Sequence, residues 1–332
     1  MKDDPPKRGP TRVPAELEGR PLDGIVRAVY GGSWNVARTR IERGKIRVDG
    51  VTVTDPRCRP AAGAQLELRE SAPRPPREGE LPDAAVVHVD PHLVVVDKPA
   101  GVSTVPFEED ERGTLDELVR HWLSRRARAD SRTPGGRPAL GVVHRLDRET
   151  TGLLVFTRTW LAKQGLTHQF RLHTVRRRYL ALAHGDVRPQ TIRSRIVADR
   201  GDGRRGSVEA APYGRGLRPD QGQLAVTHLE PLERLAGATL VACRLETGRT
   251  HQIRIHLAEA GHPLLGERVY RRRDDPALEA PRVMLHAAEL GFVHPATGAH
   301  VEWRRDPPPD FLATLQRLAR QSSSRSRSRS RS

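Results

Sequence analysis

Apolar residues in this chain come in short bursts, and their spacing changes along the sequence. Ile25, Val26 and Val29, then Val36 and Ile41 before the turn at Arg43-Gly44, predict two short helices. From Ile46 to Val53 apolar and polar residues alternate about Asp49-Gly50, a hairpin signal, and Gln65–Leu68 adds a further strand. The segment ESAPRPPREGELPD, residues 70–83, is proline-rich and aperiodic, and predicts a linker. Past it, Val86–Val89 and Leu93–Val96 predict strands around Asp90-Pro91, and Thr114-Leu115-Asp116-Glu117 predicts a capping box opening a helix through Arg128. Residues 131–138 predict a basic Gly/Pro loop. A helix is expected over Trp160–Arg171, with Leu161, Leu166 and Phe170 as its core stripe. Strands are expected from Tyr179 to Ala183 and from Leu240 to Glu246. Between them, 186–231 is polar and rich in Gly and Arg, and predicts weak strands at best.

Composition narrows the partner. The formal charge is +16, and only Arg325, Arg327, Arg329 and Arg331 of that excess belong to the terminal Arg-Ser alternation. The basic character is intrinsic to the folded part and calls for a polyanion such as nucleic acid. Cys58 and Cys243 are far apart and have no metal-ligand spacing, and His251 and His256 lack the four-residue spacing of a helical zinc pair, so no metal is assigned. No apolar stretch approaches the roughly 18 residues of a membrane span, and no signal-peptide core opens the chain, so a cytoplasmic protein with no membrane partner is expected.

Chemistry concentrates in GVVHRLDRETTGLLVFT, residues 141–157. Two apolar runs flank an island of His144, Arg145, Asp147, Arg148 and Glu149, which must surface in a loop or at a sheet edge because unpaired ions are costly to bury. A turn carboxylate paired with Arg145 or Arg148 accounts for Asp147 taken alone. The longer string HRLD, three residues, then Thr151-Gly152 and an apolar strand, resembles the catalytic motif of the RluA family of pseudouridine synthases. Arg-Arg-Tyr at 177–179 leading into an Ala-rich strand resembles that family's second motif, and TGRTHQIRIH at 247–256 with the following Gly261-His262-Pro263-Leu264-Leu265-Gly266 its third. Lys98-Pro99-Ala100-Gly101 resembles a further motif, although a structural turn explains it without chemistry. Helix, helix and hairpin at 21–69 resemble an S4 RNA-binding module, with Trp34 where such modules usually carry arginine.

The resemblance implies a mixed α+β catalytic domain with a largely antiparallel sheet, preceded by the small S4-like α/β module. The implied organisation is a disordered leader over 1–20, the S4-like unit over 21–69, a linker over 70–83, the catalytic domain over 84–318 and a disordered Arg/Ser tail over 319–332. It further implies isomerisation of uridine to pseudouridine with Asp147 as nucleophile, Tyr179 against the target uracil and Arg254 paired with the aspartate. Arg145 is implied to contact RNA near the vacated position. Arg249 and Gln252 hold backbone or contact phosphate, and Arg38, Arg43 and Lys45 form the basic face of the S4-like unit. The three arginines Arg176–Arg178 suit phosphates beside one stacking aromatic. No cofactor is required, because the reaction has neither a redox step nor an external donor. Ribosomal RNA is favoured over tRNA, and a monomer is expected. Two alternatives stand beside this: an RNA-binding protein that keeps the fold without activity, and a metal-dependent nuclease, which needs a carboxylate or histidine cluster.

Overall fold

A computed structural model describes residues 10–53, 56–70, 80–107, 109, 111–129, 138–201, 203–210, 218, 220–270 and 280–329. The chain divides into two compact units, Met1–Pro82 and Asp83–Ser332. The predicted loop over 131–138 lies almost wholly outside the described residues, as do most of the linker and the first nine residues.

The N-terminal unit comprises β1 (Thr11–Arg12), α1 (Leu22–Tyr30), α2 (Trp34–Glu42), β2 (Ile46–Val48), β3 (Val51–Thr52) and β4 (Gln65–Leu68). Its sheet runs β1-β4-β2-β3. The Asp49-Gly50 turn has both residues at positive φ, 49° and 79°, as a two-residue hairpin loop of matching twist requires. The two helices lay Leu22, Ile25, Val26, Tyr30, Ala37 and Ile41 against Ile46 and Leu66. The proposed leader needs correction here. Thr11 pairs with Leu66, and Val13 is buried in the same core, so the folded unit begins by residue 11 rather than 21. A single apolar residue among prolines carries no periodicity, and that is why the pattern missed it.

The second unit comprises β5 (Val86–Val89), β6 (Leu93–Lys98), α3 (Leu115–Ala129), β7 (Gly141–Val142), β8 (Thr151–Thr157), α4 (Trp160–Arg171), β9 (Arg176–His184), β10 (Gln190–Val197), β11 (Gly206–Ser207), β12 (Gln223–Leu235), β13 (Ala238–Leu245), α5 (Gln252–Glu259), β14 (Leu285–Val293), β15 (His300–Arg304) and α6 (Pro309–Arg329). One sheet orders them β11-β10-β12-β13-β9-β14-β8-β6-β5, with β15 on β14 and β7 on β8. Among these pairings only β8 with β14 is parallel. The expected mixed, largely antiparallel sheet is present. Helix α4 covers β6, β8 and β14 through Ala162 and Leu166 packed on Leu93, Val95, Leu153, Val155 and Leu290. Helix α6 seals the other region, with Phe311 and Leu318 against Leu182, Leu265 and Met284.

Several expectations are revised. Residues 186–231 contain two long strands, β10 and β12, rather than weak ones. Their outward positions are polar and their ladder hydrogen bonds, not apolar content, hold them, so composition hid them. The stripe of α4 is rotated: Leu161 is exposed and Ala162 takes its place in the core. Only β8 of the two runs flanking the charged island is a buried strand; β7 is two residues long and Val142 is exposed. Helix α6 continues to Arg329, into the Arg-Ser alternation set apart as a disordered tail over 319–332.

Gly152 sits where β8 crosses β14. Its φ is 109°, and a Cβ there would lie 2.3 Å from the Ala287 carbonyl oxygen and 2.7 Å from the Ala287 nitrogen. Both are backbone atoms, with no side chain to swing aside. Gly152→Ala is expected to destabilise the fold by at least about 2 kcal/mol, seen as a lowered thermal midpoint; an unchanged midpoint would refute the close crossing.

Candidate active site

The loop between β7 and β8 carries the charged island, and three contacts fix it. Lys98 at the end of β6 is fully buried, and its Nζ donates to the carbonyls of Pro99 (2.8 Å) and Arg148 (2.9 Å). Burial pulls its ammonium down to about 7, against the opposing pull of Asp147 and Glu149. The Gly101 N–H donates to the Arg148 carbonyl, and Arg148 Nε donates back to the Gly101 carbonyl, both at 2.9 Å. Thr104 Oγ1 donates to the Leu146 carbonyl at 2.8 Å. The Lys-Pro-Ala-Gly turn is therefore structural, as expected, but its structural task is to hold the loop that presents Asp147. From the far side, Arg282 Nη1 donates to the Glu149 carbonyl at 3.1 Å.

Asp147 opens onto a cleft of about 630 Å³ whose lining includes Val105, His144, Arg145, Phe170, Tyr179 and Arg254. Two side chains face its carboxylate just beyond hydrogen-bond length. Arg254 Nη1 is 3.6 Å from Oδ2, and His251 Nε2 is 3.8 Å from Oδ1. The three residues of the expected catalytic set, Asp147, Tyr179 and Arg254, thus line one cleft. Tyr179 is buried, and burial raises its phenol above the ordinary range.

Arg254 lies on the first turns of α5, and its stronger partner was not foreseen. Glu267 accepts from Nε at 2.8 Å and from Nη2 at 2.9 Å, a bidentate pair in the interior. Glu267 is held in turn by the backbone N–H groups of Arg268 (3.0 Å) and Val269 (2.8 Å), and its carboxyl is kept below the usual range despite burial. The Gly-Glu step after the third motif was the only sequence signal for it, and an acidic residue following a turn glycine is too common to single out.

The basic run at the start of β9 splits by strand alternation. Arg177 and Tyr179 turn to the cleft. Arg176 pairs with Glu289 (3.1 Å) and Glu302 (3.0 Å), and Arg178 with Glu289 (3.2 Å), so of the three arginines only Arg177 turns to the cleft. Arg177 is buried over the Phe170 ring and donates to the Glu246 carbonyl at 2.9 Å. Gly248 leaves room for it, since a Cβ there would lie 2.5 Å from Arg177 Nη1 and the guanidinium would have to shift. His144 stacks on Phe170 with ring centroids 4.7 Å apart and accepts from the Val155 N–H at 3.1 Å; burial brings its pKa down to about 3, so it is neutral.

Gln252 is resolved in favour of holding backbone. Its Oε1 accepts from Thr247 Oγ1 (2.8 Å) and the Arg249 N–H (2.9 Å), and its Nε2 donates to the Val226 carbonyl and Thr227 Oγ1, each at 3.0 Å. No hydrogen-bonding capacity remains for RNA, which corrects its assignment to the RNA contacts. Arg145 is exposed at the cleft, and Arg249 is half-buried there with Nε on the Leu224 carbonyl. His256 is buried between Thr227 and Ser194 and has no access to the cleft. Among the described residues no group of three or more His, Cys, Asp or Glu is placed to hold a metal ion, and no helix is long and apolar enough to cross a membrane.

In the N-terminal unit, Arg43 and Lys45 line a hollow of about 310 Å³ with Asn35, Thr39, Arg40 and Glu70. Arg38 is separate from them and pairs with Asp23 at 2.9 Å. Trp34 lies under the Arg27 guanidinium, 4.3 Å from its ring centroid.

Removing one partner of a buried ion pair strands the other. Glu267→Ala is expected to lower stability by about 3 kcal/mol in denaturant unfolding, and Arg254→Met/Glu267→Leu, which removes both charges, by clearly less. Equal losses would show that the pair does not carry this part of the fold.

The sequence profile described as RNA pseudouridylate synthase matches residues 92–259. A protein of Pseudomonas aeruginosa named ribosomal large subunit pseudouridine synthase D is 35% identical over 92% of this chain and 94% of its own length. One of the same name from Nitrosomonas europaea is 34% identical over 92% of this chain and 86% of its own. In Bacillus subtilis an uncharacterised RNA pseudouridine synthase is 34% identical over 71% of this chain and 73% of its own. The solved structure of human RNA pseudouridylate synthase domain containing 4 shares the fold, with a TM-score of 0.54 and 23% identity over 71% of this chain and 93% of that one. With residues of all three motifs lining one cleft, the chain belongs to the RNA pseudouridylate synthase family, in its RluA branch, and is an RNA pseudouridine synthase.

Proposed function

We propose that this chain isomerises specific uridines in large-subunit ribosomal RNA, using Asp147 as the nucleophile on a flipped-out nucleotide. The observation that carries the proposal is the carboxylate of Asp147 in an arginine-lined cleft, with Arg254 Nη1 3.6 Å from one oxygen and Tyr179 in the same lining. Isomerisation breaks the N1–C1′ bond, forms a C5–C1′ bond, removes the proton from C5 and returns one to N1, so no atom is gained or lost. An ionised carboxylate suits the first step, either bonding to C1′ or stabilising positive charge on the ribose. The base must leave the helical stack, and Tyr179 offers a buried ring for it to rest against. A phenol raised by burial remains protonated and can hand a proton on only in concert with the transfer from C5.

Arg145 and Arg249 are proposed to take phosphates of the RNA at the mouth of the cleft. The N-terminal unit is proposed to be an S4-like module, supported by its two helices before a hairpin and by Arg43 and Lys45 on one hollow. Arg38, tied to Asp23, contributes charge to that unit more than a direct contact. The substrate assignment rests on the names of the P. aeruginosa and N. europaea relatives, with tRNA as the competing class. The protein is proposed to act as a monomer in the cytoplasm.

The test is pseudouridine mapping of ribosomal and transfer RNA from cells lacking the protein, complemented with wild type or Asp147→Asn. Sites in large-subunit RNA are expected to vanish and to return only with wild type. Loss confined to tRNA would overturn the substrate, and restoration by Asp147→Asn would overturn the nucleophile.

A further inference from the structure

His251 is the residue that the third motif delivers to the cleft without an assigned task. It stands immediately before α5 with φ 59° and ψ 17°, a left-handed conformation that a non-glycine residue adopts only when its surroundings hold it there. Its ring is half-buried. Nε2 points at Oδ1 of Asp147 from 3.8 Å, and Nδ1 lies 2.6 Å from the hydroxyl of Tyr270. The two rings meet edge-on at 74°, centroids 5.5 Å apart, so the phenol approaches along the imidazole plane where a nitrogen lone pair or N–H lies.

The hydrogen-bond inventory fixes which nitrogen carries the proton. Tyr270 has no hydroxyl partner among the described residues except His251 Nδ1. Its phenol is pushed up to about 12 by burial, so it keeps its proton and has one to donate. If it donates to Nδ1, the neutral ring carries its own proton on Nε2 and turns an N–H toward the carboxylate. The opposite tautomer would aim a lone pair at an anion and leave the phenol proton without an acceptor. Charged groups around the ring are Asp147, Arg254, Glu267 and Arg205; burial and the two arginines outweigh the two carboxylates and keep His251 below its ordinary pKa.

We propose that His251 is a positioning residue for the nucleophile, its Nε2–H held toward Oδ1 of Asp147 by the Tyr270 hydroxyl on Nδ1 while Arg254 faces Oδ2. This rests on Asp147 being the nucleophile. Asp147 is thereby gripped on both oxygens from one short segment, with Arg254 fixed by Glu267 and His251 fixed by Tyr270. Tyr270 and Glu267 come from the same turn after β13 and α5: the Tyr270 N–H donates to Glu267 Oε1 at 3.3 Å, and the Arg254 guanidinium lies 5.3 Å from the Tyr270 ring centroid. One turn sets both donors. Both gaps to the carboxylate exceed hydrogen-bond length by under 1 Å, a margin of the kind that tightens in catalytic sites once substrate is bound.

Two measurements on the full chain test this. The first is the ring ¹⁵N spectrum of protein labelled at histidine, with His251 assigned by comparison with His251→Gln. A pyridine-type Nδ1 and a protonated Nε2 at neutral pH are expected, moving toward the mixed tautomer in Tyr270→Phe; a protonated Nδ1 in wild type overturns the proposal whatever the substrate. The second is steady-state pseudouridine formation on total RNA purified from cells lacking the protein. His251→Ala is expected to lower kcat about 10- to 100-fold with little change in KM, and His251→Gln, which keeps an N–H donor, to lose less. Tyr270→Phe is expected to lower kcat by a smaller factor in the wild-type background and not at all in His251→Ala. An active Asp147→Asn would sink the nucleophile reading itself. A dead Asp147→Asn beside a fully active, folded His251→Ala sinks only the proposal.

Discussion

The catalytic unit depends on one guanidinium that serves two carboxylates. Arg254 spends Nε and Nη2 on Glu267, at 2.8 and 2.9 Å, and leaves Nη1 for Asp147 at 3.6 Å. A buried arginine is tolerable only when its charge is matched and its donors are used. Glu267 meets that demand, so Asp147 need not. Asp147 can therefore sit near a cation without being locked to it.

The division of labour extends outward. Lys98, Thr104 and Gly101 fix the backbone of the Asp147 loop by its carbonyls, without touching the carboxylate. Gln252 fixes the turn before α5 with all four of its hydrogen bonds inside the protein. The groups that line the cleft include Asp147, Tyr179, His251, Arg254, and Arg145 and Arg249 at its mouth. Preorganisation of this kind keeps charged groups aimed before substrate arrives, where water would otherwise have to be reorganised.

Much of this was legible in the sequence because it is local. Asp147 lies in an island of charge between apolar runs, and the Asp49-Gly50 turn announces its hairpin. Tyr179 and Arg254 came through motif resemblance and do reach the same cleft. What the sequence hid was relational. Glu267 is thirteen residues from its partner and looks like any acidic residue after a glycine. Whether Arg176, Arg177 or Arg178 faced the cleft depended on the register of β9, which a run of three identical residues cannot reveal. Strand β12 was obscured because its outward positions are polar and its stability lies in ladder bonds on both sides. Phe170 was read as core, yet it stands beneath His144 and Arg177 at the cleft wall. An aromatic on a helical stripe gives no sign of which of the two it will be.

The parallel crossing of β8 and β14 sets a condition on when this protein can begin to work. Thr151 and His286 are paired across it, Thr151 Oγ1 lies 2.9 Å from His286 Nδ1, and Arg282 reaches back to the Glu149 carbonyl. The loop bearing Asp147 is thus completed by residues made more than a hundred positions later. Non-local pairings of this kind form late, after their loop-closure entropy has been met. Asp147, Tyr179 and Arg254 all precede β14 in the chain. A chain cut short before Leu285 would lack β14, and with it the pairing that supports the Asp147 loop.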